Sequence, residues 1–154
     1  YFGHKEANKL CDKLIELKKN QPNFDLQIIT SRRTSNVVKK IIFQKLNYIA
    51  YIWNGEGKNP YEEAIQMSSF FIVTSDSTSM ISETAISGRP IYIFHLPFKR
   101  KSMRISRFHD EFGKLGITKD INNVNHLVSW EYNLLNESER IGTIIKKKII
   151  EDNL

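Results

Sequence analysis

The sequence predicts an α/β fold: a mostly parallel sheet, doubly wound, with helices on both faces. Three observations lead there. Short apolar runs of strand length recur along the chain, segments with helical apolar spacing alternate with them, and polar loops rich in Ser, Asn and Gly lie between. Strands that alternate with helices imply right-handed crossovers, and crossovers imply parallel pairing.

The elements follow in order. Over residues 5–20, Ala7, Leu10, Cys11, Leu14, Ile15 and Leu17 fall at helical spacing with charges between them, which gives one apolar face. Residues 20–23, Asn-Gln-Pro-Asn, stop that helix, and 26–30 is a nearly unbroken apolar run typical of a strand covered on both faces. After a polar loop at 31–34, Val37, Val38, Ile41, Ile42 and Leu46 restore the helical period, and 48–53 is aromatic and β-branched, as strands prefer. Residues 54–58 form a flexible loop. At 59–62 Asn59 is a good N-cap, Pro60 suits the first helical position and Glu62 can reach back, so a helix starts there. The next strand is 70–74, followed by a serine-rich stretch at 75–79 and a helix over 80–87 closed by Gly88. A fourth strand at 90–94 leads to a helix over 102–115, a connection containing Gly and Asn, and a last long helix carrying Ile141, Ile144, Ile145 and Ile149. The arrangement is Rossmann-like.

A length of 154 residues fits one domain, residues 1–154. A composition with 40% hydrophobic and 26% charged residues is globular, and no stretch approaches the roughly 18 apolar residues of a membrane span. The chain begins at Tyr1 with neither a methionine nor the pattern of a signal peptide, so it reads as a piece of a longer protein. Cys11 is the single cysteine, which excludes an internal disulfide and fits a reducing compartment; the cytoplasm is the expected location. The net charge of +6 would attract phosphate-bearing ligands, acidic lipid or nucleic acid. Its densest cluster is Lys99, Arg100, Lys101, Arg104 and Arg107, on a helix that also carries Met103, Ile105 and Phe108. That stretch is either a solvated helix face or a peripheral contact with an anionic membrane, which would place the protein at the inner membrane. No stacking motif accompanies the arginines, so nucleic acid is not an expected partner.

Ligands of doubly wound sheets bind beyond the carboxyl ends of the strands, which makes the loops after Thr30, Trp53, Thr74 and Phe94 the informative ones. Ser77, Thr78 and Ser79 lie before a helix, where backbone N–H groups and the helix dipole favour an anion and small hydroxyls permit close approach. Ordinary capping by Asp76, Ser77 or Ser79 explains the same residues. Arg32 and Arg33 can supply bidentate donors to phosphate oxygens, or simply form a solvated basic turn. Gly55 and Gly57 serve a close backbone approach or plain loop geometry. His4, His95, His109 and His126 lack ligand spacing and Cys11 sits on an apolar face, so no metal site and no Cys–His nucleophile are expected; His95, after a strand, is the histidine to watch. There is no G-x-S-x-G and no Walker-type loop, which disfavours a hydrolase, an ATPase or a kinase.

Residues 82–90, Ser-Glu-Thr-Ala-Ile-Ser-Gly-Arg-Pro, resemble the donor-binding segment of GT-B glycosyltransferases, such as the lipid II N-acetylglucosaminyltransferase of peptidoglycan synthesis. The resemblance implies that Glu83 holds ribose hydroxyls of a nucleotide-sugar and that Ser77, Thr78 and Ser79 hold its phosphates. A wider resemblance covers most of the chain. Ser31-Arg32-Arg33-Thr34, then Trp53-Asn54-Gly55-Glu56-Gly57 with Asn59-Pro60-Tyr61, then Val73-Thr74-Ser75-Asp76-Ser77 with Ser79-Met80-Ile81-Ser82-Glu83 are similar to successive signatures of the elongated-mitochondria (mitochondrial fission) family. Ser35 stands where the family has proline and Asn54 where an Asp is common.

The expectation is therefore a GT-B-like carboxyl-terminal domain that binds a nucleotide-sugar such as a UDP-sugar, with no bound cofactor. Arg32, Arg33, Ser77, Thr78 and Ser79 would lie near phosphate and Glu83 near ribose, with Trp53, Asn54, Gly55, Asn59 and Tyr61 on the base side. The acceptor-activating base would come from the missing amino-terminal domain, so this piece alone binds without turnover and its own catalytic residues are unassigned. The alternative is a non-catalytic adaptor of the fission-family type, recruiting a partner protein or touching a membrane through Lys99, Arg100, Lys101 and Arg104.

Overall fold

In the computed structural model, which describes residues 1–53, 55–98, 100 and 102–132, parallel strands alternate with helices. The class is the α/β, Rossmann-like, doubly wound one. The strands fall into a two-stranded and a three-stranded sheet, and the chain divides into two compact units, Tyr1–Ser68 with Asn122–Leu127, and Ser69–Ile121 with Val128–Leu154.

In the first unit, α1 (His4–Asn20) buries Ala7, Leu10, Cys11, Leu14 and Leu17, the stripe expected from spacings of three and four. Glu6 reaches back so that its Oε2 accepts from the Gly3 N–H at 3.2 Å, and Lys18 and Lys19 sit in the last turn, where the dipole favours cations. The stripe packs on Val38, Ile42 and Leu46 of α2 (Asn36–Leu46), whose N-cap Ser35 accepts from the Val38 N–H at 3.2 Å. Strands β1 (Leu26–Ile29) and β2 (Ala50–Trp53) pair in parallel with Ile29 opposite Trp53. β2 starts two residues later than its aromatic composition predicts. The Asn47 N–H donates to the Phe43 carbonyl and Ile49 to Leu46, so Tyr48 and Ile49 finish the helix turn instead. After β2 comes α3 (Tyr61–Met67), which starts one residue later than Asn59 and Pro60 suggest: Pro60 is the N-cap, without a side-chain cap, and Asn59 Oδ1 accepts from the Tyr61 N–H at 3.0 Å in the turn before it. Residues 122–127 are stitched to the end of α1. Gln21 donates to the Leu127 carbonyl at 3.0 Å and accepts from its N–H at 2.6 Å, while Asn20 donates to the Asn125 carbonyl at 2.8 Å.

In the second unit, β3 (Phe71–Thr74), β4 (Ile91–Phe94) and β5 (Thr118–Asp120) form one parallel sheet with β4 at its centre. All four residues of β4 are buried, together with Ile81, Ala85, Phe108, Phe112, Ile117 and Ile121. Helix α4 (Thr78–Ala85) crosses from β3 to β4, and α5 (Met103–Lys114), with N-cap Ser102, crosses from β4 to β5. Gly116 at φ +73° ends α5 in a Schellman arrangement, the Ile117 N–H bonding to the Phe112 carbonyl and the Gly116 N–H to Gly113, each at 3.0 Å. The segment 128–132 binds back onto this unit through aromatic side chains. The buried Tyr92 hydroxyl accepts from the Val128 N–H at 2.9 Å, the Trp130 indole donates to the Gly116 carbonyl at 2.8 Å with Lys119 over its ring, and the Tyr132 hydroxyl donates to the Arg89 carbonyl at 2.7 Å. Burial raises the Tyr132 hydroxyl to about 12, so it keeps the proton that these bonds use.

Two differences from the sequence reading bear on function. Helix α4 starts at Thr78 and not at residue 80, so Thr78 and Ser79 belong to its first turn. The sequence predicts a connection where β5 lies: Thr-Lys-Asp has no apolar run, and only pairing with β4 makes it a strand. The expected last helix around Ile141–Ile149 lies outside the described residues.

Phe112 is fully buried and its ring stacks on Phe108 at 4.3 Å between centroids. Phe112→Ala is expected to lower stability by about 3–5 kcal/mol. Ile86→Ala, at a side chain 70% exposed, should stay within about 0.5 kcal/mol. Urea unfolding of both variants checks the pair.

Candidate functional site

The residues singled out in the sequence divide between the units, and each group follows the carboxyl end of a parallel strand. In the first unit, the loop after β1 is a tight turn whose hydroxyls serve its own backbone. Thr34 Oγ1 accepts from the Ser31 N–H at 3.0 Å, and Ser31 Oγ accepts from the Arg33 N–H at 3.2 Å. Arg32 and Arg33 are exposed beside it. In the same unit the Trp53 indole donates to the Glu56 carbonyl at 2.9 Å, closing a loop in which Gly55 and Gly57 take φ +90° and +75°. At that angle any side chain is strained, so these glycines serve the turn. Asn59 Oδ1 accepts from the N–H of Tyr61, the first residue of α3; Asn54 lies outside the described residues.

In the second unit the loop after β3 is fixed by Ser75. Its N–H donates to the Phe94 carbonyl at 3.0 Å, its buried Oγ accepts from the Leu96 N–H at 2.8 Å, and its carbonyl accepts from His109 Nε2 at 2.8 Å. That last bond makes Nε2 the protonated nitrogen, leaving Nδ1 as a lone pair. The loop enters α4 through Ser77, the N-cap residue by position, yet its side chain makes no capping hydrogen bond. Its Oγ lies instead 3.4 Å from Thr74 Oγ1 and 3.5 Å from Asp76 Oδ1. Thr78 is buried, whereas Ser79 and Glu83 are exposed and four residues apart on one helix face.

His95 and His109 complete this edge. Their rings meet edge to face at 5.3 Å between centroids, with His95 exposed and His109 half-buried against Phe108. His109 lies on α5 and its partner Ser75 is 34 residues away, so nothing local in the sequence marks it. Burial lowers its pKa below 6.5, and the His95 ring lowers it further, against opposing pulls from the Ser75 bond and Asp110. Burial also raises the Cys11 thiol, which stays protonated inside the first unit. Among the described residues no group of three or more His, Cys, Asp or Glu could hold a metal ion, and no helix is long and apolar enough to cross a membrane.

At the start of α5, Arg100, Arg104 and Arg107 are exposed beside Phe98 and Met103, themselves 47% and 60% exposed. Lys99 and Lys101 lie outside the described residues.

With three loops carrying the signatures noted in the sequence, comparison with known proteins decides the family. The sequence profile described as Mitochondrial fission ELM1 matches residues 1–149. The chain belongs to the mitochondrial fission ELM1 family. It is 29% identical to Mitochondrial fission protein ELM1 of Arabidopsis thaliana over 154 residues, covering 96% of this chain and 34% of that protein. It is 33% identical to Uncharacterized protein RP120 of Rickettsia prowazekii (strain Madrid E) over 121 residues, 75% of this chain and 34% of that protein. The chain thus spans about a third of the length of these two relatives. No solved structure matches it.

The lowered pKa of His109 makes stability depend on pH with a definite sign. The unfolded chain takes the proton first as pH falls through 6.5, so stability is full above that value and declines as pH falls toward the folded pKa. The urea midpoint of the wild type should therefore drop more between about pH 7.5 and 5.5 than that of His109→Gln. Equal drops would remove His109 as the cause.

Proposed function

We propose that the second unit of this ELM1-family chain binds the diphosphate of a nucleotide or nucleotide-sugar at residues 75–79, with Glu83 toward the ribose. The observation that carries the reading is the amino end of α4. It follows a parallel strand at the ligand-binding edge, is built from small hydroxyl residues, and lacks a side-chain cap. Backbone amides there can meet phosphate oxygens, and Ser79 and Glu83 share the exposed face leading away from them. The likeness of residues 82–90 to the donor segment of GT-B glycosyltransferases supports the same assignment. In the first unit, Arg32 and Arg33 are candidate phosphate donors and Trp53, Asn54, Gly55, Asn59 and Tyr61 candidate base-side residues, to be tested on their own. If the whole protein transfers a sugar, these contacts stabilise charge developing on the leaving diphosphate without a metal.

Calorimetric titration with UDP, a UDP-sugar, GDP and ADP tests the reading. Binding at about millimolar or tighter, lost in Glu83→Ala, is expected for at least one of them. A well-folded chain that binds none of the four overturns it.

A second reading is an adaptor that touches an anionic membrane, and the exposed set Phe98, Arg100, Met103, Arg104 and Arg107 favours it. Apolar side chains beside guanidinium groups suit a headgroup boundary. The Arabidopsis relative's name ties that protein to mitochondrial fission. Binding to phosphatidylserine vesicles should weaken with salt and fall roughly tenfold or more in Arg100→Gln with Arg104→Gln. Binding that ignores both salt and these substitutions excludes this surface.

A further inference from the structure

None of the eight residues of β1 and β2 is buried, whereas all four of β4 and two of the four in β3 are. Yet Leu-Gln-Ile-Ile and Ala-Tyr-Ile-Trp are apolar runs of the kind that parallel sheets cover on both faces. Tyr51 is 62% exposed and Trp53 only half-buried. Among the described strands β1 and β2 pair with each other alone, which leaves each with an outer edge that no strand pairs. Natural edges are guarded by charged residues or proline, and Leu26–Ile29 holds neither. Handedness chooses between the two edges. Helix α2 is the crossover from β1 to β2, and α1 packs along α2 and leads into β1, so α1 stands where the crossover helix of a preceding unit would stand. Right-handed crossovers whose helices share a face advance across a sheet in one direction, which puts the strand that feeds α1 on the side of β1 away from β2. The whole relatives have chain for it, since the matched part is 34% of each.

We propose that the outer edge of β1 is a strand-docking site, filled in the whole protein by a parallel, apolar strand that comes from outside residues 1–154 and leads into α1. The added strand makes β1 the middle one of three. It pairs the N–H and C=O groups of β1 that face away from β2 and covers the flank of Leu26 and Ile28, which are half-buried without it. The inference is independent of any ligand at residues 75–79, because β1 and its edge belong to the first unit.

Hydrogen exchange resolved to single amides compares the whole protein with the 154-residue chain. Alternate N–H groups of a parallel strand point to opposite neighbours, so the β1 amides that face β2 are held in both forms. The other set is expected to exchange roughly a hundredfold faster than these in the 154-residue chain, and at about the same rate as these in the whole protein. A difference between the two sets that persists in the whole protein overturns the proposal. General stabilisation by a neighbouring domain would slow both sets together and leave that difference in place. A proline placed in the apolar run ahead of Tyr1 should bring the difference back; a whole protein that keeps both sets protected despite it has another segment at this edge, which overturns the assignment. Should the 154-residue chain fail to fold, the whole protein decides alone, equal protection of the two sets supporting the added strand and a single protected set excluding it.

Discussion

Ser75 has three polar groups, and each holds a different part of the second unit. The N–H extends the pairing of β3 with β4 by one residue, the hydroxyl catches the chain as it leaves β4, and the carbonyl receives α5 through His109. A buried N–H left without an acceptor costs about 1–3 kcal/mol, so the Leu96 amide needs this hydroxyl in this place. Alanine at residue 75 would remove it and valine would crowd it. The direction in which the chain turns into α4 follows from these bonds, and with it the position of every residue of the serine-rich loop.

The amino ends of the helices show what that loop is not used for. Ser35 caps α2 and Ser102 caps α5, each with a side-chain oxygen accepting a backbone N–H, whereas Gly3 and Pro60 at the starts of α1 and α3 make no side-chain cap. Helix α4 has the richest supply of capping residues before it, and Ser77 makes no such bond. Its hydroxyl turns toward Thr74 and Asp76 instead. Capping contributes about 1 kcal/mol where it is made, so a helix of eight residues that forgoes it leaves amides available for another acceptor.

Most of the fold was legible because helical periodicity and apolar strand runs survive in a single sequence. The buried stripe of α1 is the one its spacing named, and β4 is buried on every residue, as an unbroken apolar run implies. Where tertiary context overrides local signal, the reading slipped. Tyr48 and Ile49 look like strand but complete a helix turn, and Thr118–Asp120 looks like loop but pairs with β4. The candidate site was half legible. Ser77, Ser79 and Glu83 stand out by type and by family resemblance as candidates, while the place of His109 at this edge could not, because it lies in a bond to a residue 34 positions away. The sequence drew attention to His95, and the structure adds the ring it touches.

The electrostatics of the second unit narrow what its loop could hold. Its exposed arginines gather at the start of α5, where the helix dipole already disfavours cations, so their placement is not explained by helix stability. Residues 75–79 carry none of that charge and include a carboxylate. An anion on this loop would be held by amide and hydroxyl dipoles in fixed positions. Such a site selects on the geometry of oxygens more than on net charge, and it gains most from a ligand that also reaches a second anchor on the same exposed face. On the proposed reading Glu83, four residues beyond Ser79, would accept from vicinal hydroxyls and repel a bare phosphate, which would favour a phosphate joined to a sugar over the free ion.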